Sequence, residues 1–304
     1  MSNRRVWLLT IPVLLALTLL LLRVIWNTSM HPDETLVYVF TRFDIGYAVN
    51  YLATQDIQAP LWLALFWIWR HLLAGDSEFS GRMIGLLFSL VTLAMTYRIG
   101  RDWFGKARYG LFSMIILGVS AYFLDFGLEI RPYPLVLMLA SISMWLYLRW
   151  LRKQTWRLAL CYGVVTALLL YVHYFVGFLI IVQVLYFLLS RPSRRLLMQA
   201  VSAVALALLL LLPWLPSFFS QLTLLHQVVV ESGNSYGSGI GTPSTTQPTN
   251  AASILSLAQI STNGQILLYA LVLVIGIALL WRNRRYWLAL LWGLGVPMIA
   301  LAIN

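Results

Sequence analysis

Charge is what this sequence has least of. Only 10% of its 304 residues are charged and 61% are hydrophobic, whereas an ordinary soluble domain carries roughly a quarter charged residues. That balance makes the bilayer the solvent. The single cysteine, Cys161, excludes a disulfide within the chain and a cysteine-based metal centre. His31, His71, His173 and His226 lack the regular ligand spacing of a helical zinc site, which disfavours a zinc hydrolase. Gly237, Gly239 and Gly241 follow no strand and open no helix pattern, so they are not a dinucleotide fingerprint. Strict alternation of apolar and polar residues is missing too, which excludes a transmembrane β-barrel.

Long charge-free runs are present in its place, at residues 6–22, 109–124, 132–148, 158–190 and 196–225. Each is long enough for a span or a helical hairpin. In hydrocarbon such runs must be helical, because only a helix satisfies its own backbone polar groups there. The expected fold class is therefore all-α and polytopic. The net charge of +11 comes from short clusters between the runs and forms no basic face. The clusters read as topology signals, and nucleic acid is not an expected partner. Arg4 and Arg5 before an apolar stretch also describe a signal peptide, but no convincing small-residue cleavage site follows Leu22, so a retained anchor is expected.

If the basic clusters at 4–5, 98–108, 149–157, 191–195 and 282–285 all face the cytoplasm, the first helix leaves the chain outside near Trp26 and an odd number of crossings must lie between there and Arg98. Two apolar stretches lie between Trp26 and Arg98, so one of them cannot cross. Residues 59–73 are the weaker candidate, reaching about 22 Å against a hydrocarbon core of about 30 Å. They also carry Trp62, Trp67 and Trp69, which favour the interface. The expectation is a helix lying in the outer interface and nine spans in all, at about 6–22, 83–97, 109–125, 132–149, 157–172, 174–190, 197–216, 264–281 and 286–303. The N-terminus is then cytoplasmic. The organisation reads as a transmembrane core over 1–216 with a first outer loop at 27–82, a flexible outer loop at 217–263, and a distal transmembrane hairpin at 264–304. The last apolar run stops at Asn304 without a polar tail, which suggests a fragment. All of the acidic residues except Asp102 fall in or beside the outer segments.

Those outer segments hold the candidate chemistry. His31-Pro32-Asp33-Glu34 follows the first span. Two adjacent carboxylates at a membrane surface can serve as a base or hold a divalent cation through oxygen; the alternative is an acidic helix N-cap. Glu129 and Arg131 occupy a very short turn before Pro132-Tyr133. Charges so close to hydrocarbon are expensive unless paired or employed, so function is the default reading and a structural pair the alternative. Arg82 stands at the outer mouth of the second span, where a snorkelling anchor is the alternative. Tyr171-Val172-His173-Tyr174 turns on the same face and is either part of the site or an interfacial aromatic belt.

In order and spacing these pieces resemble the C-fold membrane glycosyltransferases, in the branch of protein O-mannosyltransferases and lipid A aminoarabinose transferases. The resemblance covers most of the chain. It rests on Asp33-Glu34 with Tyr38, Gln58-Ala59-Pro60-Leu61-Trp62, Arg82 after a Gly-x-Ser-x-Phe turn, and Gly100-Arg101 with Phe104-Gly105. Glu129-Ile130-Arg131-Pro132-Tyr133 and His173-Tyr174 complete it. Gln58 and Ala59 stand where the family commonly has His and Pro, and its distal region is missing.

The resemblance implies a cell-membrane enzyme that works on the outer face. It would move a sugar from a polyprenyl-phosphate donor to a glycan, lipid or protein acceptor. Asp33 would be the base, with Glu34 assisting or sharing a divalent metal with it; no cofactor is required. Gln58, Arg82, Glu129, Arg131, Tyr133, His173 and Tyr174 would bind substrate, with Arg82 and Arg131 on the donor phosphate. Asp33, Arg82, Glu129 and Arg131 should then converge at one cavity. The competing class is a transporter or flippase for a polyprenyl-linked substrate, which would place ionisable residues near the bilayer midplane.

Overall fold

The computed structural model describes residues 3–232 and, beyond them, the single positions Leu267, Leu271, Val274 and Leu288. Every regular element among these is helical. The expected spans at 264–281 and 286–303, and residues 233–263, lie outside the described residues. Four segments are long and apolar enough to cross a membrane: Leu8–Asn27, Glu78–Phe104, Tyr133–Lys153 and Arg194–Leu225. Ala107–Gly118, Trp156–Val172 and Tyr174–Leu189 are shorter apolar helices.

The first span belongs to α1 (Asn3–Asn27). Leu17, Leu21 and Ile25 recur at helical spacing and are buried together with Leu86, Leu93, Met114 and Phe123. Three short helices follow: α2 (Pro32–Phe40), α3 (Ile45–Gln55) and α4 (Pro60–Ile68), the last continued by a single π-helical turn, Trp69–Ala74. Pro32 and Pro60 sit in the first turns of their helices, where the missing N–H costs nothing. With its π turn, α4 reaches about 22 Å and is not among the four long segments. Its Trp62, Leu63 and Phe66 are buried in the main core.

Helices α5 (Glu78–Phe104) and α6 (Ala107–Gly118) form a hairpin closed at Gly105, whose φ of 75° suits glycine. Their contact is backbone-close, since a Cβ on Gly110 would lie 2.4 Å from the Tyr97 carbonyl oxygen. A single span was expected over 109–125. The chain instead breaks after α6, caps again at Ser120 and makes the short α7 (Ala121–Phe126).

Helix α8 (Tyr133–Lys153) is the centre of the bundle and packs on both α5 and α9 (Trp156–Val172). Next come α10 (Gly177–Leu189) and α11 (Arg194–Leu211). Gly163 of α9 lets α11 approach so closely that an added Cβ would meet the Ala203 carbonyl oxygen at 2.5 Å. Polar groups inside the bundle are paired across helices. Tyr147 and Tyr162 donate to the backbone and side-chain oxygens of Gln183 at 2.7 Å each, and Trp150 donates to Gln199 at 2.8 Å.

After a tight turn at Leu212–Trp214 the chain continues as α12 (Leu215–Ser232). Residues 217–232 were expected to open a flexible loop and are helical. The reason is compositional: residues 217–231 are mostly apolar, with only Ser217, Ser220 and Thr223 of the types that disfavour a helix, and the dense Gly, Ser, Thr and Pro run starts at Ser232. Helix α12 packs back on α3, which brings it over the short helices of the first loop.

Candidate active site

The site is assembled at the first turn of α2. His31 caps the helix, and its Nδ1 accepts from the Asp33 backbone N–H at 3.4 Å. In return Glu34 accepts from the His31 N–H at 2.6 Å, completing a capping box. Glu34 is only 1% exposed and does more than cap. Its Oε2 also accepts from Arg82 Nη2 at 2.9 Å, and its Oε1 accepts from the Ile130 N–H at 2.7 Å. One carboxylate thus joins α2, the start of α5 and the turn before α8.

Arg82 is 3% exposed and donates also to the Ser29 carbonyl at 3.0 Å. Its Nε lies 3.5 Å from Glu78 but makes no hydrogen bond. Gly81 before it is required by contact, because a Cβ there would fall 2.2 Å from the Tyr38 hydroxyl. That hydroxyl donates to the Ser77 carbonyl at 2.8 Å, and burial pushes its pKa up to about 12. At the other end of α2, buried Arg70 donates to the Tyr38 carbonyl at 2.7 Å, to Thr41 Oγ1 at 3.0 Å and to Asp76. Helix α2 is therefore held at both ends.

Asp33 is what this mounting presents. Its side chain is 46% exposed, and Arg131 Nη1 donates to it at 2.5 Å across 98 residues of sequence. Arg131 also lies over the Tyr133 ring, 5.1 Å from its centroid. The His173 ring is 6.2 Å from that of Tyr133. Burial, aided by the Arg131 charge, lowers the His173 pKa and favours neutral imidazole.

Two cavities flank the α2 N-terminus. One, of about 310 Å³, has Asp33, Arg131, Asp56 and Gln58 among walls that are otherwise largely apolar, including Leu36, Phe40, Trp62 and Leu224. Trp62 is buried and its Nε1 has no hydrogen-bond partner among the described residues. The other, of about 420 Å³, is lined by His31, Glu34, Arg82, Asp125 and Glu129 with Thr28 and Ser29. Asp33 lines the first of these, and its carboxylate is 4.0 Å from Nδ1 of His31, which lines the second. Burial, reinforced by the Glu34 charge, raises the pKa of Glu129.

The one cavity expected for Asp33, Arg82, Glu129 and Arg131 is two in the structure: Asp33 and Arg131 line the first with Gln58, Arg82 and Glu129 line the second with Glu34, and Tyr133 and His173 lie beside Arg131. Tyr174 is employed elsewhere. It donates to Gln221 Oε1 at 2.6 Å and accepts from Trp214 at 2.8 Å, while Gln221 donates to the Leu52 and Gln58 carbonyls at 2.7 and 3.0 Å. This chain ties α12 to the first loop. A divalent ion shared by Asp33 and Glu34 does not fit, because both Glu34 oxygens already accept hydrogen bonds and Asp33 carries Arg131. Among the described residues no group of three or more His, Cys, Asp or Glu side chains is placed to hold an ion. Sequence reasoning passed over Asp56, whose pKa is raised by burial and which accepts from the Ile57 N–H at 2.6 Å. The signal was available: like Glu129, it is a lone acid beside an apolar run.

A helical membrane bundle with paired charges gathered at one end of its helices is the setting of a membrane-embedded transferase. The profile of the dolichyl-phosphate-mannose-protein mannosyltransferase family matches residues 57–217, more than half of the chain, and the chain belongs to that family. It is a membrane glycosyltransferase of the C-fold kind. The match includes Gln58, Arg82, Glu129, Arg131, Tyr133, His173 and Tyr174 and begins after Asp33 and Glu34. No curated protein matches the chain.

The two carboxylates of α2 should respond differently to neutralisation. Glu34→Gln leaves Arg82 buried without its counter-charge and should cost about 3–5 kcal/mol, whereas Asp33→Asn breaks a half-exposed pair and should cost about 1 kcal/mol or less. Thermal unfolding of the purified proteins checks this; equal losses would contradict it. Glu129 gives a pH test. A carboxyl with a raised folded pKa contributes stability that is full below its unfolded pKa and is lost as pH rises through the folded one. Glu129→Gln should therefore melt above wild type at pH 7, by a margin that closes as pH falls toward the ordinary value of 4.5.

Proposed function

We propose that the protein transfers a sugar from a polyprenyl-phosphate donor to an acceptor hydroxyl, with inversion at the anomeric carbon. The observation that carries this reading is the Asp33 and Arg131 pair at 2.5 Å, set in the wall of a cavity whose other lining is largely apolar. Such a cavity suits a prenyl phosphate: hydrocarbon against Leu36, Phe40, Leu63 and Leu224, phosphate against the guanidinium. The second cavity, acidic and polar, suits the acceptor. A bisubstrate reaction needs two sites that meet at the reacting group, and Asp33 lines the first cavity with its carboxylate 4.0 Å from His31 in the wall of the second.

In this mechanism the acceptor oxygen attacks the anomeric carbon while Asp33 takes its proton. The bond from that carbon to the phosphate oxygen breaks, and the electron pair leaves with the polyprenyl phosphate. Arg131, already placed, turns its fork from Asp33 to the developing phosphate charge, a preorganised stabilisation in a partly dry site. Glu34 and Arg82 brace α2 from the wall of the second cavity. Glu129 takes an acceptor hydroxyl, and Asp56, Gln58 and the free Trp62 Nε1 take hydroxyls of the donor sugar. Neutral His173 and Tyr133 confine Arg131.

The orientation we propose puts the N-terminus in the cytoplasm and both cavities at the outer face, with nine spans, residues 59–73 in the outer interface, a core over 1–216, helix α12 leading into a loop to 263, and a distal hairpin to 304. A donor that has already crossed the bilayer as a lipid then explains why transfer needs no nucleotide sugar.

The test is transfer from a radiolabelled polyprenyl-phosphate mannose by purified protein. Asp33→Asn should lower turnover by about 10²–10⁴-fold with donor binding retained. Arg131→Lys keeps the charge but loses the fork, and should weaken donor binding or turnover. A wild-type rate for Asp33→Asn would overturn the assignment of the base.

A further inference from the structure

Far from the candidate site, where α5 and α8 end, a groove of about 530 Å³ is lined by Arg101, Arg149, Arg152, Lys153 and Asp102 around Gly105. That volume lies within the range of small-molecule sites. The candidate site sits at the opposite ends of the same helices, by Arg82 and before Tyr133. At 1.5 Å per residue the two lie about 30–40 Å apart along the bundle, which is the thickness of a bilayer core. The groove therefore stands at the level of the other headgroup layer.

A topology signal needs positive charge and no particular geometry. This cluster has geometry. Asp102 accepts from Arg101 Nε at 2.9 Å and from the Trp145 indole at 3.2 Å, while its backbone carbonyl accepts from Arg152 Nη1 at 2.8 Å. The Trp145 ring in turn carries Arg149 at 4.7 Å and Arg98 at 5.5 Å from its centroid. One carboxylate and one indole thus aim several cations at a common hollow. Against four cations in its wall the groove has only Asp102, and neither Arg149 nor Lys153 forms an ion pair among the described residues. Apolar surface adjoins it, with Phe104 and Phe112 exposed on α5 and α6.

We propose that this groove is a binding site for the phosphate headgroup of an anionic phospholipid, independent of the transfer site. Guanidinium forks match phosphate oxygens, and the adjoining apolar helix faces accept acyl chains. A free phosphate would use the same cations but not those faces, and the position at the helix ends favours the lipid.

The test is native mass spectrometry of the full chain in mixed micelles of phosphatidylglycerol and phosphatidylcholine. Wild type should retain phosphatidylglycerol selectively. Arg149→Gln with Arg152→Gln should lose roughly thirty-fold in affinity for it, while Arg23→Gln, a cation on α1 away from the groove, should lose none. Asp102→Asn separates a built site from bare charge. It raises the net charge, so charge counting predicts tighter binding, whereas loss of the organising carboxylate predicts weaker binding at an unchanged melting temperature. Equal retention of the two lipids, equal losses for the Gln pair and Arg23→Gln, or unweakened binding by Asp102→Asn would each overturn the proposal. Displacement of the lipid by inorganic phosphate at equal concentration would assign the groove to free phosphate instead. If the Gln pair fails to fold, Asp102→Asn alone decides.

Discussion

A buried carboxylate must have its oxygens satisfied or it will not stay ionised in the protein. Glu34 meets this demand by accepting from three segments at once: its own helix cap at His31, Arg82 of α5 and the Ile130 N–H before α8. Everything at this end of the molecule follows from that convergence. Release of any one partner would strand a buried polar group, so the three segments are fixed relative to one another. The neighbouring residue, Asp33, is carried by the same turn to a half-exposed position where Arg131 donates to it and His31 lies 4.0 Å away.

The adjacent acids of α2 thereby divide two roles that the sequence leaves joined. Along a helix, successive side chains point about 100° apart, so when Glu34 faces the interior Asp33 faces the cavity. The arginines divide in the same way. Arg82, enclosed by Glu34, Glu78 and the Ser29 carbonyl, has its charge already answered, whereas Arg131 is more open and lies over an aromatic face. Its partner is a half-exposed carboxylate, a pairing weak enough to exchange for a phosphate. Arg70 supports the arrangement from the far end of α2, through a π-helical turn that swings its side chain under Tyr38.

The sequence made much of this legible. The helical class follows from hydrocarbon-length runs, whereas the single cavity expected for Asp33, Arg82, Glu129 and Arg131 is divided in two, because Arg82 pairs with Glu34 and Arg131 with Asp33. At His31-Pro32-Asp33-Glu34 the capping box is present while Asp33 stays half-exposed beside Arg131, and pattern reading cannot separate a cap from a base because both call for the same residues. The Glu34 bond to the Ile130 N–H was not legible, since a backbone donor carries no residue signature. Tyr174 was misplaced because its partners, Trp214 and Gln221, stand 40 and 47 residues away. The helix over 217–232 was hidden by reading the polar composition of the following residues back too far.

The central claim is that Arg131, not Arg82, receives the donor phosphate while Glu34 keeps the turn in place. The most direct measurement is a cryo-EM structure of the full chain with a non-transferable polyprenyl phosphonate sugar. The account predicts phosphonate oxygens within hydrogen-bond distance of the Arg131 guanidinium, Asp33 beside the anomeric carbon, and the Glu34 bonds to Arg82 and Ile130 intact. A phosphonate held by Arg82 with Glu34 displaced, or seated away from both cavities, would contradict it.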